Sequence, residues 1–177
     1  MFLTSPNSPQ VSDLLRQLLS TRYDPLTHWT SVHRVHGGHA PYTLPNELSA
    51  SFTIPHDPDS ADNISASTII TNYLAKSFEP AVAWLIDPPT FHIEVKTTAE
   101  GRGAEFSLSN EEFERARAYM ASESERPRDV VLLVRVFNVG EKQGVDFFLD
   151  LWSWIKFGGV GVRAVHEFWG RVRVEGE

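Results

Sequence analysis

The 177-residue sequence contains no cysteine. Disulfides, thiolate zinc sites and a cysteine nucleophile are therefore excluded, although the absence alone does not fix a compartment. Nor does any apolar run approach the roughly 20 residues needed to cross a bilayer. Met1-Phe2-Leu3-Thr4-Ser5-Pro6 lacks a basic start followed by an apolar stretch, so the sequence predicts no secretory signal. The expectation is an intracellular protein, cytoplasmic or nuclear without distinction, with no membrane partner. Positive charge is also in short supply: 16 Lys and Arg stand against 23 Asp and Glu, a net charge of −7. That balance offers no general attraction to phosphate backbones, which are met by clustered Lys and Arg. The charges are uneven, however. Acids gather between Glu105 and Glu125, and Arg163, Arg171 and Arg173 make the C-terminal stretch more basic. No internal repeat and no low-complexity tract is present.

What is present suits a globular domain, with 41% apolar and 22% charged residues in a length that holds one sizeable core. Ser8-Pro9 reads as a helix start, and Leu14, Leu15, Leu18 and Leu19 follow at helical spacing. Pro25, Gly37, Gly38, Pro41, Pro45, Pro55 and Pro58 then break the chain into an irregular arm with one strand at Ser51-Phe52-Thr53-Ile54. Trp29, Tyr42 and Phe52 give the arm aromatic surface to lay against a core. The organisation expected is an N-terminal helix and Pro/His-rich arm over 1–58, followed by an α/β domain over 59–177. In that domain a helix is expected over about 65–78, with Ile69, Ile70, Tyr73 and Leu74 on one face. Strands at 81–86 and 90–97 follow, joined by Asp87-Pro88-Pro89. Ser109 and Glu112 form a capping box for a further helix carrying Phe113, Ala116 and Met120.

The strongest strand signal is 130–137, whose unbroken apolar run belongs in the middle of a sheet covered on both faces. A short strand at 145–149 comes next, then a helical turn around Leu151, Trp152 and Ile155, a stop at Gly158-Gly159, and one or two closing strands within 160–174. The order of elements makes the class α/β or α+β.

Alternation along 90–97 puts Ile93 and Val95 on one face and His92, Glu94 and Lys96 on the other. A carboxylate with a lysine two residues on is the spacing a metal-dependent phosphodiesterase needs. The carboxylate holds a hard Mg2+ ion, and the lysine orients the attacking water and offsets charge on the phosphate. The same pattern also arises as a solvated ion pair on a strand, so the two residues alone decide nothing. If Lys96 stands at the surface of such a site, Lys96→Ala should leave stability nearly unchanged.

Three blocks in order carry a more specific signal. They are Phe91-His92-Ile93-Glu94-Val95-Lys96-Thr97-Thr98, then Phe106-Ser107-Leu108-Ser109-Asn110-Glu111-Glu112-Phe113-Glu114-Arg115-Ala116, then Val131-Leu132-Leu133-Val134-Arg135-Val136-Phe137-Asn138-Val139. Together they resemble the C-terminal domain of the plant protein NO VEIN. Fungal members of that family carry a phrase like Pro88-Pro89-Thr90 running into the first block, and a lead-in like Thr27-His28-Trp29-Thr30-Ser31-Val32-His33-Arg34 with Pro41-Tyr42 after it. The clear resemblance spans about residues 80 to 140, with a looser one toward both ends. It implies a PD-(D/E)xK, restriction-endonuclease-like fold: a mixed central sheet flanked by helices, here with an irregular N-terminal arm. The family's domain commonly ends a longer polypeptide, so this chain is expected to be a stand-alone or trimmed version. The resemblance further implies Glu94 and Lys96 as catalytic residues and Glu94 as a metal ligand. Nucleases of this fold place an aspartate on the preceding strand, so that two carboxylates share the metal. The stretch 81–86 has no acid, and Asp87, in the Pro-Pro connection, is the nearest candidate for the second ligand. A turn aspartate also serves its own backbone. The helix glutamate often found upstream has no counterpart within 65–78, only Asp62 before it and Glu79 after it.

Other residues offer less. His28, His33, His36 and His39 cluster in the arm, but their spacings match no zinc module, and exposed loop histidines account for them. His92 shares a face with Glu94 and Lys96, where it could assist a metal or a phosphate or be a satisfied sheet histidine. Glu112 is accounted for by the capping box. Arg135, inside an apolar strand, calls for a partner such as a carboxylate near the site, or else marks the wet end of the strand. Ser107 and Ser109 have no nucleophile-elbow setting, and Gly101-Arg102-Gly103 reads as a flexible turn rather than a phosphate loop.

Three functional readings stand side by side at this point. One is a Mg2+-dependent nuclease with a degenerate site, using Glu94, Lys96 and Asp87. A second is a catalytically inactive module on the same fold, binding a protein partner or a neighbouring domain. A third is a nucleic-acid binder without chemistry, using Arg163, Arg171 and Arg173. The missing strand acid and the acidic balance favour the second, and the Glu94/Lys96 pair favours the first.

Overall fold

The computed structural model of the chain describes residues 28, 30, 40–41, 50–56, 65–121, 126–138, 144–164 and 168–172, with backbone alone for 163, 164 and 168–172. The helix expected around Leu14 to Leu19, most of the arm, including Trp29, Tyr42, His33, His36 and His39, and Arg173 lie outside the described residues. In chain order the elements are β1 (Phe52–Ile54), α1 (Ala66–Leu74), a 3-10 helix (Glu79–Leu85), β2 (Thr90–Thr97), β3 (Phe106–Leu108), α2 (Asn110–Ala118), β4 (Asp129–Phe137), β5 (Gly144–Leu149), α3 (Leu151–Lys156), β6 (Val160–Ala164) and β7 (Phe168–Val172).

The architecture is mixed α/β. Its main sheet has the order β1-β2-β4-β5, and a second, three-stranded sheet has the order β3-β7-β6. β1 runs antiparallel to β2, β2 parallel to β4, and β4 antiparallel to β5. A parallel pair needs a crossover, and the stretch between β2 and β4 supplies it through β3 and α2. β4 is central, as its apolar run requires. Val130, Leu132 and Val134 enter a core with α1, Trp84, Phe91 and Ile93 on one face. Val131 and Leu133 enter a second core with Phe106, Leu108, Ala116, Phe148, Leu151 and Val160 on the other.

Local signals explain the helices. Ser65 caps α1 by accepting from the Thr68 backbone N–H at 3.1 Å, and α1 turns Ala66, Ile70 and Leu74 inward. It ends at Leu74 rather than Phe78. At Ser109 the full capping box is present, with Glu112 N–H donating to the Ser109 hydroxyl and Ser109 N–H donating to the Glu112 carboxylate. Asp150 starts α3 through its carboxylate, and Gly158, at φ 79°, ends that stretch in the left-handed region.

One element differs in type. Residues 81–86, expected as a strand, lie mostly in the 3-10 helix. Ala81 and Trp84 are buried while Val82, Leu85 and Ile86 are exposed, Ile86 to 75%. A buried spacing of three is the period of a 3-10 turn, not the period of two that a strand requires. Pro80 lies in the first turn of that helix, and Trp84 anchors it edge-on against Phe78 at 5.7 Å between ring centroids. The antiparallel neighbour of the Glu-x-Lys strand is therefore β1, far upstream, and not the segment just before it.

Candidate functional site: a polar zipper between β2 and α2

β2 does place His92, Glu94 and Lys96 on one face, and that face is covered by α2. Two residues of α2, Glu112 and Arg115, and the residue just after it, Tyr119, meet them in reverse order. Lys96 Nζ donates to both carboxylate oxygens of Glu112 at 2.7 and 2.8 Å. Arg115 Nη1 donates to Glu94 Oε1 in a fully buried ion pair, with Glu94 2% and Arg115 1% exposed. Tyr119 stacks on the His92 ring at 4.8 Å between centroids, and His92 Nε2 lies 2.7 Å from Asp129 Oδ1. Helix spacings of three and four residues rise about 4.5 and 6 Å, close to the roughly 6.6 Å between alternate strand residues, which is why the two rows stay in step.

The second oxygen of Glu94 faces β1. Ser51 precedes that strand and sits opposite Glu94, continuing the Phe52–Ile93 register. Its backbone N–H and its hydroxyl both donate to Glu94 Oε2, at 3.2 and 3.0 Å, and its hydroxyl also accepts from Val95 N–H at 3.1 Å. Burial pushes the Glu94 pKa up from its ordinary 4.5, Arg115 pulls it down, the Glu112 charge pushes it up again, and Ser51 and Lys96 pull it down; the net direction is upward.

The resemblance implies Mg2+, and the donor set can be tested against it. A hard divalent ion needs several oxygens and an excess of negative charge. Here two carboxylates, Glu94 and Glu112, face two cations, Arg115 and Lys96, and each carboxylate is already engaged. The guanidinium lies against Glu94 Oε1, and neutral Ser51 donors hold Oε2. As arranged, these residues do not fit a Mg2+ ion. Among the described residues, no three His, Asp or Glu side chains gather as a metal-binding group.

Asp87 is not brought to Glu94. It follows the 3-10 helix, is 70% exposed, and lies 3.7 Å from His56 Nε2 beyond the opposite end of β1 from Ser51. At about 3.3 Å per strand residue, Thr90 is already about 13 Å from Glu94, and Asp87 precedes Thr90. His92 is a buried sheet histidine paired with Asp129. Arg135 is fully buried, but its partners are backbone carbonyls. It donates to the carbonyls of Arg102 and Ala104 and lies 5.2 Å from the centroid of the Phe106 ring. Burial lowers its pKa and the neighbouring Asp146 raises it. Asp146 also accepts from Arg102 Nε at 2.8 Å, so Arg102, in the middle of the Gly101-Arg102-Gly103 turn, is held through both its side chain and its carbonyl. Ser107 lies in β3 and Ser109 caps α2. Arg163 and Arg171 pair through the β6–β7 backbone with Trp169 and Gly161 respectively.

Ser51, Arg115, Tyr119 and Asp129 are the residues to which sequence reasoning assigns no role. Glu112, Arg115 and Tyr119 recur at i, i+3 and i+7, the spacing of one helix face, which matches the alternating row on β2. No helix among the described residues is long and apolar enough to cross a membrane. No family model, no curated protein and no solved structure matches the chain.

Proposed function

We propose that the chain is a NO VEIN C-terminal-like domain on a PD-(D/E)xK nuclease-like scaffold whose Glu-x-Lys pair has left metal chemistry, and that it acts as a non-catalytic interaction module. Support for the scaffold comes from the order of elements: an antiparallel neighbour, the Glu-x-Lys strand, a crossover containing a helix, and a parallel strand. The observation that carries the functional part is the buried Glu94–Arg115 pair, which gives Glu94 an internal counter-ion in place of a metal. Lys96 is likewise directed at Glu112, not held free for a phosphate. Fold alone assigns no activity, so the charge balance of this face carries the weight.

The test is calorimetric titration of Mg2+ and Mn2+ into the wild type and Glu94→Ala, with cleavage of DNA and RNA assayed on the same samples. The module reading expects no Glu94-dependent heat and no cleavage from well-folded wild type. Metal binding and cleavage that both vanish in Glu94→Ala would establish the Mg2+-dependent nuclease instead. Salt-dependent binding to labelled DNA or RNA without cleavage would favour the nucleic-acid binder.

A further inference from the structure

We infer that Arg115 stands in for a divalent cation, and that Ser51 and Arg115 together close a latent hard-cation site at Glu94. The inference rests on the non-catalytic reading and goes further by naming the residues responsible. A buried carboxylate that stays ionised needs a compensating charge, from a neighbouring cationic side chain or a bound ion. Arg115 provides the first at Glu94 Oε1. Its fit to the surroundings is incomplete, because Arg115 Nε and Nη2 are buried without a hydrogen-bond partner among the described residues. A guanidinium chosen for its fork of donors would use them. This one contributes a positive charge at one oxygen, which is also what an ion would contribute.

Ser51 closes the other side. Its hydroxyl lies 3.0 Å from Glu94 Oε2, across the β1–β2 pair, so an aspartate at that position would bring a second carboxylate beside the first. With serine there, the site has one nearby carboxylate and neutral donors. Glu112 lies near enough to raise the Glu94 pKa, but Lys96 holds both of its oxygens. Removing the guanidinium changes the cluster from neutral to singly negative and leaves a buried oxygen facing vacated space. Adding a carboxylate at 51 makes it doubly negative, with two adjacent oxygen ligands, the arrangement that favours Mn2+ or Mg2+.

The test uses the full chain and Mn2+ as the probe, read by calorimetry, by loss of the free-ion electron spin resonance signal and by the shift in melting temperature. Wild type should show no Glu94-dependent response. Arg115→Ala should gain weak Mn2+ binding, and Ser51→Asp/Arg115→Ala should bind at least about tenfold more tightly, since affinity follows ligand charge. Adding Glu94→Gln to the double variant should abolish binding. A double variant that folds only when Mn2+ is present also supports the inference. One that folds and ignores Mn2+, or fails to fold both with and without it, overturns it. Cleavage by the wild type would sink the non-catalytic reading instead, so the two failures are distinct.

Discussion

Arg115 and Glu94 illustrate why a buried ion pair is poor evidence of stabilisation but strong evidence of dependence. Desolvating both charges offsets much of their attraction, whereas deleting one leaves the other stranded. Arg115→Ala is therefore expected to destabilise the domain by about 3–5 kcal/mol, as measured by urea unfolding. Replacing both residues with methionine should recover most of that loss, because an apolar pair of similar volume needs no counter-ion. A double variant as unstable as Arg115→Ala alone would show that the pair's geometry, not its charge, holds α2 to β2. The raised pKa of Glu94 fixes the sign of a pH effect. The folded state binds the proton more tightly than the unfolded chain does, so this contribution to stability is full below pH 4.5 and is lost as pH rises through the raised value. Relative to Glu94→Gln, the wild type should gain stability as pH falls from neutral toward 4.5, as read from urea midpoints at several pH values. A constant difference between the two proteins would contradict the upward shift.

At the scale of elements, α2 is fastened twice through one carboxylate. Glu112 Oε2 closes the capping box on Ser109 and also receives Lys96. Lys96 was expected to be dispensable for folding if it stood at the surface of a site. In this arrangement Lys96→Ala should instead lower stability by about 1 kcal/mol, the value for a partly buried charge-assisted contact, and Ser109→Ala should do the same through the lost cap. Loss of far-UV helical signal at lower denaturant in either variant would check the link to α2. These contacts also show what was legible in the sequence. The capping box, the strand at 90–97 and the apolar run at 130–137 each carry their signal locally, and each stands where its pattern placed it. Residues 81–86 did not, because an apolar composition suits a strand or a turn of helix, and only the burial of Ala81 and Trp84 three apart separates them. Arg115 was hidden for a different reason. Asn110-Glu111-Glu112-Phe113-Glu114-Arg115 reads as a solvated, charge-rich face, and only the sheet packed beneath it makes one of those charges internal. Pairing between β1 and β2 is equally remote from local sequence, so Ser51 could not be seen as the residue opposite Glu94.

For the whole molecule, the decisive property is how the sheet is enclosed. α1 and the 3-10 helix share a core with one face, while α2, α3 and the second sheet contribute to the other. The Glu-x-Lys row lies beneath α2, and Glu94 has almost no surface of its own. A ligand that binds only the folded state raises its stability in proportion to the logarithm of its concentration over Kd. If Glu94 held a divalent ion with a Kd of about 1 mM, about 10 mM Mg2+ would add about 1.4 kcal/mol and raise the melting temperature of a chain this size by about 3–6 °C. Occupation of that place by Arg115 removes the effect. The wild type should melt at the same temperature in chelator, in Mg2+ and in Mn2+ once ionic strength is matched, since screening of surface charges alone can move the midpoint. A rise of several degrees that disappears in Glu94→Gln would mean that the metal displaces the guanidinium, and the face beneath α2 would then have to open to admit it.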